Sequence, residues 1–434
     1  MTIYDSLEAV KAELANCMKC GNCQEVCPIY IEEKKEAAVA RGKIKLVEAV
    51  LKGDLEYTKG FEDKLALCLT CKACNEKCPC GVKVDKIILG TRAAIVKNRG
   101  LHPMKKMIFG TLKRPGLFNF GIKTGGKFQG LVFKKHKSLH GAYPRFPFGL
   151  DLRRIIPPLA TTPLRDQVPE VVKVDNPVKR VAFFTGCTMN FIYVDAGKAV
   201  IDVLKKNNVE VVIPKDQHCC SMPIIAHGDA ATAKEMAKSH VDIFSKLDVD
   251  AIITACGSCG LTFQRHYLEL LEDDPEYYAK AQKVAEKIID ISDFIVKVIG
   301  LDKSKLGPLN MKVTYHDPCH LNRGMGVKST PREVLKSIPG LELIEMKNAD
   351  RCCGSAGSFS LTHYDLSMAI HKHKIEAIRA TKADAVVTGC GACIMQITDG
   401  MNRFDLNLPI YHTVEILAKS YAAKEGEKEA KAVS

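Results

Sequence analysis

Five cysteines in the last third of the chain repeat the spacing of five earlier cysteines. Equivalent residues are 132 to 134 positions apart, and each set contains one adjacent pair and one C-x2-C pair. Five thiolates exceed the four ligands of a tetrahedral zinc ion, and adjacent side chains diverge too far for so small a site. A larger iron–sulfur cluster accommodates both features. The spacing therefore favours a cluster in each half, with zinc as the alternative. The sets are Cys187, Cys219, Cys220, Cys256, Cys259 and Cys319, Cys352, Cys353, Cys390, Cys393.

Two further cysteine runs near the N-terminus have the spacing C-x2-C-x2-C-x3-C-P, which is typical of cubane 4Fe–4S clusters. Three cysteines on a tight loop bind three irons, and the fourth, before proline, is expected to begin a helix that carries it to the other cluster. We therefore predict crossed ligation, with zinc as the weaker alternative; Cys80 lies outside the pattern. One cluster is held by Cys17, Cys20, Cys23 and Cys78, and the other by Cys68, Cys71, Cys74 and Cys27.

Two kinds of domain are needed to position these cysteines. Residues 1–100 have apolar residues at helical spacing and predict a helical ferredoxin-type domain with two 4Fe–4S motifs. Residues 101–178 form a basic connector broken by prolines. Short apolar strands then alternate with helices, which predicts a first cysteine-rich α/β domain over 179–308 and a second over 309–434. The fold class is thus α+β multidomain, a helical domain followed by a duplicated α/β domain with mostly parallel strands.

The predicted strands explain how distant cysteines meet. Nearly every cysteine of the two sets of five follows a strand, and ligands gather outside the carboxyl ends of strands in open α/β sheets. Each half should therefore present one thiolate-rich pocket. The strands are predicted at 180–184, 209–213, 251–254, 312–315, 341–345, 385–388 and 409–411.

The composition excludes several classes of protein. The 434 residues are 46% hydrophobic and 26% charged, as in ordinary globular domains. No apolar run reaches the roughly 18–20 residues that span a bilayer, and the mixed, acidic N-terminus does not have the pattern of a secretory signal. We therefore expect a cytoplasmic protein. Its nineteen cysteines then favour metal ligation over disulfides, which belong to small secreted chains.

The net charge of +13 is concentrated in the connector. Residues 101–150 contain ten Lys and Arg and no Asp or Glu. Such a stretch is expected either to dock on an anionic membrane or an acidic protein, or to remain a solvated connector. No recognition motif accompanies the charge, so nucleic acid is not an expected partner.

The second set of five cysteines resembles the cysteine-rich "CCG" domain that is shared with heterodisulfide reductases. The first set departs from it at Ser221, where glycine is expected. Together with the N-terminal motifs, these features resemble the iron–sulfur subunit of glycolate oxidase, a layout that related subunits of lactate and anaerobic glycerol-3-phosphate dehydrogenases share. The segments that carry the resemblance include Ala40-Arg41-Gly42-Lys43-Ile44, His316-Asp317-Pro318-Cys319-His320, Cys352-Cys353-Gly354 and Gly389-Cys390-Gly391-Ala392-Cys393.

The resemblance implies an oxidoreductase subunit for electron transfer. Its partner would be a flavoprotein with FAD that oxidises glycolate or lactate, and this chain would relay electrons through two cubane clusters to the CCG sites. One or two further 4Fe–4S clusters, of cubane or noncubane form, are implied there, with zinc an option in one. The acceptor would be a quinone or another molecule, and the chain would be cytoplasmic or peripheral on the inner face of the cell membrane. No catalytic residue is assigned to this chain.

Two alternatives remain open from the residues. One is a disulfide reductase of the heterodisulfide type, with a CCG cluster as its active site. The other is a zinc-stabilised scaffold with redox chemistry confined to residues 1–100. Beside the cysteines, His218, His316 and His320 either tune a cluster by hydrogen bonds to sulfur or bond to backbone, and Asp317 is expected to fix His316 or cap a helix. The chain lacks a phosphate-binding loop and a convincing dinucleotide motif, so we expect it to bind neither flavin nor nicotinamide.

Overall fold

Short α-helices build the N-terminal region of the computed structural model, which describes residues 2–135, 141–146 and 151–433. The predicted helical character of residues 1–100 is confirmed in the part that is described. Leu14, Ile44, Val47, Leu65 and Ile87 of these helices share one buried core, on which the cysteine loops rest. The helices are Lys11–Ala15 (α1), Cys23–Val26 (α2), Pro28–Glu33 (α3), Ala40–Lys52 (α4), Lys59–Ala66 (α5), Ala73–Lys77 (α6) and Val84–Arg99 (α7).

Two helices that we did not predict occupy the start of the connector: Pro103–Leu112 (α8) and Pro115–Val132 (α9). Proline is the first residue of each, where a missing N–H costs nothing and the fixed φ angle suits a helix. The rest of the connector has only short elements, as its prolines predict. They are the antiparallel pair Phe133–Lys135 (β1) and Ala142–Pro144 (β2), the helix Leu164–Gln167 (α10) and the strand Val171–Val172 (β3).

The first cysteine-rich half contains a five-stranded sheet of order β3-β5-β4-β6-β7, in which β3 is antiparallel and the other strands are parallel. Its strands are Lys179–Phe184 (β4), Val209–Val212 (β5), Ala251–Thr254 (β6) and Ile288–Asp290 (β7). Its helices are Gly186–Phe191 (α11), Val194–Lys206 (α12), Met222–Ala226 (α13), Ala230–Phe244 (α14), Gly257–Leu261 (α15), Tyr267–Leu271 (α16), Pro275–Lys287 (α17) and Ile291–Asp293 (α18).

The second half repeats this arrangement with a parallel sheet of order β9-β8-β10-β11. The strand order β5-β4-β6-β7 of the first half matches it one for one, which confirms the predicted duplication. All seven predicted strands are present within two residues of their predicted ends, whereas β3 and β7 were not predicted. The strands are Met311–His316 (β8), Leu341–Leu343 (β9), Ala385–Thr388 (β10) and Ile410–His412 (β11), and the helices are Thr330–Ser337 (α19), Phe359–Thr362 (α20), Tyr364–Thr381 (α21), Gly391–Arg403 (α22) and Thr413–Val433 (α23).

The two halves pack tightly against each other through the helices that follow β6 and β10. A Cβ atom on Gly257, at the start of α15, would lie 2.4 Å from the backbone nitrogen of Leu321 in the other half. A Cβ atom on Gly391, at the start of α22, would lie 2.8 Å from Cβ of Thr188 in the first half. Glycine at both positions therefore lets the two C-x2-C segments approach one another. Among the described helices, none is both long and apolar enough to cross a membrane.

Candidate metal centres

The cysteines of the two N-terminal motifs border two neighbouring cavities. One cavity is bordered by Cys27, Cys68, Cys71 and Cys74, the predicted ligands of one cubane cluster. The other is bordered by the predicted ligands of the second cluster, together with Cys74 and Cys80. Each motif thus sends its fourth cysteine to the cavity of the other, as crossed ligation requires, and the ligand assignment itself stays a prediction. The residues of this second group are Cys17, Cys20, Cys23 and Cys78.

Different turns deliver the two fourth cysteines. Cys27 directly precedes α3, whose first residue is Pro28, as we predicted. Cys78 is followed by a turn in which Gly81 has a φ of 66°, and the next helix begins only at Val84. A left-handed residue ends helical geometry. The prediction that both prolines begin a helix is therefore wrong for the second motif.

The thiols of these cavities are poorly solvated. Burial raises the pKa of the Cys27 thiol to about 12, and it also raises the pKa of Cys74 well above the usual value. Such thiols keep their protons at neutral pH unless a metal displaces them. The site chemistry therefore suits a group that binds thiolates strongly.

The first set of five cysteines forms a continuous row of sulfur contacts. Cys219 contacts both Cys187 and Cys220, Cys220 contacts Cys259, and Cys259 contacts Cys256. Cys187 lies in α11 directly after β4, and Cys256 directly precedes α15 after β6. Because β4 and β6 are parallel neighbours, their carboxyl ends bring these residues to one sheet edge.

The second set forms the same row in the same order. Cys319 contacts Cys352, which contacts Cys353. The sulfurs of Cys353 and Cys393 are 3.8 Å apart, and Cys393 contacts Cys390. The structure thus brings together all five sulfurs in each half, as the duplicated spacing predicts.

The two rows are joined to each other and to the N-terminal region. The sulfurs of Cys256 and Cys390 are 3.8 Å apart across the interface between the halves. We expected one pocket per half, whereas the structure places the two sets in contact because α15 and α22 approach at their glycines. At the other end, Cys71 contacts Cys352, and this contact with burial raises the pKa of the Cys71 thiol well above its usual value. A line of sulfur contacts therefore runs from the second N-terminal motif through the second half to the first.

Largely buried cations accompany this line, and the sequence patterns did not predict them. Lys43 donates to the carbonyl of Ala38 beside the Cys27 and Cys68 cavity, and burial lowers the pKa of its ammonium. Lys374 is 1% exposed and donates to the carbonyls of Asn348 and Ala349, and burial lowers its pKa to about 8. Buried cations offset the negative charge of thiolate-ligated metal centres. The nearest signal in the sequence was Lys43 within the segment from Ala40 to Ile44.

The histidines and the aspartate beside the cysteines have distinct partners. His320 is fully engaged, with its ring nitrogens 3.0 Å from Oγ of Ser258 and 3.3 Å from the carbonyl of Thr70. Nδ1 of His218 is 3.0 Å from the carbonyl of Cys219. Nδ1 of His316 is 3.1 Å from the carbonyl of Ala349, and its Nε2 has no partner among the described residues.

Asp317 was expected to fix His316 or cap a helix, and the structure gives it a different partner. Its two carboxylate oxygens accept hydrogen bonds from the Arg332 guanidinium at 2.8 and 2.7 Å. Arg332 also lies over the ring of Tyr315, 5.0 Å from its centroid. The pair anchors the end of β8, directly before Cys319.

A further cavity of about 250 Å³ adjoins Cys68. It lies between the loops that follow the two adjacent cysteine pairs, where Nε2 of His227 meets Oγ of Ser358. Its walls combine apolar and polar side chains, and its rim includes the start of α8. The residues that bear on its chemistry are Ile95, Leu101, Lys105, Phe359 and His363.

Comparison with known proteins agrees with this architecture. Residues 13–82 match the family described as 4Fe-4S dicluster domain, and residues 181–264 and 313–398 each match the family described as Cysteine-rich domain. The chain is 34% identical over 439 residues to the probable glycolate oxidase iron-sulfur subunit of Bacillus subtilis (strain 168), covering 95% of each protein. The chain belongs to the family of glycolate oxidase iron–sulfur subunits. This finding confirms the resemblance inferred from the motifs and the assignment as an oxidoreductase iron–sulfur subunit with 4Fe–4S clusters.

Other relatives of this family member widen the range of reactions. It is 29% identical to a subunit of the fumarate reductase (CoM/CoB) of Methanothermobacter marburgensis, over 94% of this chain and 73% of that protein. It is 32% identical to lactate utilization protein A of Bacillus subtilis (strain 168), over 55% of this chain and 98% of that protein. A hypothetical protein from Helicobacter pylori has a related fold, with a TM-score of 0.55 at 11% identity over 95% of this chain and 72% of that chain.

Proposed function

We propose that this chain is the electron-transfer subunit of a complex in which a FAD-containing flavoprotein oxidises a 2-hydroxy acid, glycolate or lactate. The single observation that carries the proposal is the line of sulfur contacts from Cys71 through Cys352 to Cys390 and Cys256. 4Fe–4S clusters bound by these thiolates would supply one-electron redox chemistry. The chain itself would fix the order of the sites and exclude water from them.

The order of the sites follows from the contacts. The two cubane sites would lie at one end, with the ligand sets predicted from the sequence. The second CCG set would lie in the middle, because Cys352 contacts Cys71, and the first CCG set would lie at the far end, beyond the junction of Cys256 and Cys390. Two cubane clusters and one cluster in each CCG domain would give four in all.

Replacing one cysteine in the middle of the line tests this order. Cys352→Ser should lower the rate of electron transfer from flavoprotein and glycolate to the acceptor by at least tenfold, while the N-terminal clusters still assemble and reduce. Cys80→Ser is the matched control, because Cys80 is exposed and lies outside the line. Iron content and the spectrum of the reduced cubane clusters verify assembly. An unchanged rate in Cys352→Ser would show that electrons bypass the second CCG site.

The flavoprotein partner is tested by isolation of the complex. We expect the tagged chain to co-purify with a FAD protein whose flavin is reduced by glycolate or lactate. The same preparation, offered each acid in turn, identifies the substrate. A tagged chain that is pure, cluster-loaded and free of flavin from its native host would contradict the proposal.

A quinone is the acceptor that we propose, and the cavity beside Cys68 supports it. Ile95, Leu101 and Phe359 provide apolar walls for a ring, and Lys105 and His363 provide donors for its carbonyl oxygens. Thr362→Trp should fill the opening and slow reduction of a short-chain quinone, whereas Leu361→Trp, one residue outside the lining, should not. Equal quinone rates in the two variants would exclude this cavity.

We further propose that the chain associates peripherally with the inner face of the cell membrane through α8 and α9. Of the thirteen strongly exposed large apolar side chains among the described residues, seven lie on these two helices. At 100° per residue, the four on α9 fall within an arc of about 80°. The seven residues are Met104, Met107, Ile108, Leu117, Phe120, Phe128 and Leu131.

The charge around this apolar surface selects an anionic bilayer as its partner. Lys106, Arg114, Lys127 and Lys134 are exposed, and none has an acidic partner among the described residues. Each cation near an anionic membrane contributes about 1 kcal/mol, and each buried large apolar side chain about 1.5–3 kcal/mol. Because α8 also supplies Lys105 to the cavity rim, docking would place that opening near the lipid, where quinones reside.

Vesicle binding tests the surface without reference to redox chemistry. The chain should sediment with vesicles that contain an anionic phospholipid, bind far less to zwitterionic vesicles, and dissociate at high salt. Combined Phe120→Ser and Phe128→Ser should lower binding at least tenfold, and the control pair Val298→Ser and Leu361→Ser should not. If the first pair abolishes binding of the flavoprotein and leaves vesicle binding intact, the surface belongs to the partner protein instead.

Disulfide reduction is a second candidate function, favoured by two complete cysteine sets and by the similarity to a subunit of a fumarate reductase (CoM/CoB). Chemically reduced chain, mixed with a panel of disulfides in the absence of any flavoprotein, distinguishes the two functions. The relay predicts no turnover. Catalytic formation of thiols would establish the reductase.

A further inference from the structure

His316 ends strand β8 and lies beside two sulfurs of the second CCG set. A ring nitrogen of His316 and the sulfurs of Cys353 and Cys393 all lie within 4.8 Å of one another, and all three residues are buried. The two sulfurs are 3.8 Å apart. Two thiolates on one tetrahedral metal ion, with bonds of about 2.3 Å, have the same separation of about 3.8 Å. The three side chains are therefore close enough to share the coordination sphere of one metal.

The orientation of the His316 ring leaves one nitrogen for this purpose. Nδ1 lies 3.1 Å from the carbonyl of Ala349, and a carbonyl can only accept, so Nδ1 is the donor of that hydrogen bond. Nε2 is buried and has no partner among the described residues. Histidines that bind metals characteristically donate their other N–H to a backbone carbonyl or carboxylate, which fixes the ring and aims the free nitrogen at the metal.

Nothing equivalent is present in the first half. Phe184 precedes Cys187 by three residues, as His316 precedes Cys319, and it therefore occupies the matching position at the end of β4. Its ring packs against His240 and Phe263, with centroid separations of 5.2 and 4.8 Å. Within the ranges 2–135, 141–146 and 151–433, the three residues around His316 are the one such group of potential metal ligands.

We propose that Nε2 of His316 is a ligand of the metal centre in the second CCG site, which gives that site a mixed sulfur and nitrogen ligand set. The first site, with Phe184 in the equivalent place, is then ligated by sulfur alone. The inference rests on the proposed function, since it requires a metal centre held by the second cysteine set. Nitrogen donors in place of thiolates raise the potential of an iron–sulfur centre. The duplicated domains would thus hold two centres of different potential, with the same five cysteines in each.

Selective isotope labelling tests this in the unaltered protein. The chain is produced with natural-abundance nitrogen and again with ¹⁵N-histidine, loaded with its clusters, reduced and examined by pulsed electron paramagnetic resonance. We expect a strong coupling to ¹⁴N in the first sample that changes to the ¹⁵N pattern in the second. Absence of a strong histidine coupling, with iron present in the second site, would overturn the proposal. If the site contains zinc, X-ray absorption at the zinc edge should show one nitrogen neighbour at about 2.0–2.1 Å, and an all-sulfur shell would overturn it.

Variants then assign the nitrogen to one residue. His316→Phe reproduces the residue of the first half and should abolish the coupling and lower the potential of one centre. His320→Gln is the control, because both ring nitrogens of His320 already have partners and its replacement should leave the coupling intact. A coupling that survives in His316→Phe would exclude His316. A chain with metal only in the N-terminal motifs would contradict the proposed function together with this inference, whereas a full metal complement without nitrogen coupling would overturn the inference alone.

Discussion

Replacing Gly257 by alanine would force apart the two CCG domains at the point where their cysteine sets meet. The new Cβ atom would lie 2.4 Å from the backbone nitrogen of Leu321 and 2.7 Å from its Cα. An ordinary contact needs at least about 3.4 Å, so the backbone at Leu321 would have to move by roughly 1 Å. That backbone directly follows Cys319 and His320 and cannot rotate away as a side chain can.

The cost can be compared with that at the equivalent glycine of the other half. Overpacking in a well-packed interior costs about 1–3 kcal/mol, and the upper end applies where the clash is with backbone. At Gly391 the new Cβ would meet side-chain atoms of Thr188 at 2.8 and 2.9 Å, which have more freedom to adjust. We therefore expect Gly257→Ala to cost about 3 kcal/mol and Gly391→Ala about 1 kcal/mol.

Guanidinium unfolding of the cluster-loaded chain, under anaerobic conditions, measures both values. Gly110→Ala is the control: the position is helical and open, so alanine should stabilise by up to about 1 kcal/mol. The midpoint should fall most for Gly257→Ala, with an unchanged slope. A Gly257→Ala variant that unfolds at the wild-type midpoint would refute the close approach of the two halves.

Three further results are expected. Lys374→Met should lower the potential of the second CCG centre by about 90 mV in a redox titration, since a unit charge taken at about 8 Å and an effective dielectric constant of about 20 contributes about 2 kcal/mol; the exposed Lys372→Met should leave it unchanged, and equal potentials would contradict the role of the buried ammonium. Burial raises the pKa of Asp399 to about 6, so the native state binds the extra proton between about pH 4 and 6 and loses stability as the pH rises through that window. Asp399→Asn keeps the acceptor for the backbone N–H of Ile155 and should unfold at higher denaturant than wild type at pH 8, by about 2 kcal/mol, with no difference at pH 4; a constant difference would exclude this carboxyl. Removal of iron by an anaerobic chelator should lower the melting temperature by more than about 10 °C, because the buried thiols lose their metal, and an unchanged melting curve would show that the fold does not depend on it.

Patterns along the chain were sufficient to predict the repeated sheets. The strand Ala251–Thr254 has the predicted ends because a short apolar run before a C-x2-C pair permits little else. The strand Val171–Val172 was not predictable, since two residues carry no period and its pairing with β5 is antiparallel. The helices α8 and α9 were missed because glycine and proline in that stretch indicate turns, although both prolines in fact begin helices.

The candidate sites were predictable in membership and only partly in arrangement. Spacing identified which cysteines act together, because ligand sets are local in sequence or follow strands. The contacts of Cys71 with Cys352 and of Cys256 with Cys390 depend on how whole domains pack, which no spacing encodes. Lys374 looks like an ordinary helical lysine in the sequence, and only its position against the loop of Asn348 and Ala349 shows that it is buried beside the second CCG set.

The central claim is that both CCG domains extend the iron–sulfur line that begins in the N-terminal motifs. Iron, zinc and acid-labile sulfide, measured per chain on anaerobically purified protein, test it most directly. We predict about 16 iron atoms and no zinc, as four 4Fe–4S clusters require. A content of about 8 iron atoms, with zinc in the remaining sites, would contradict the claim and confine the redox chemistry to residues 1–100.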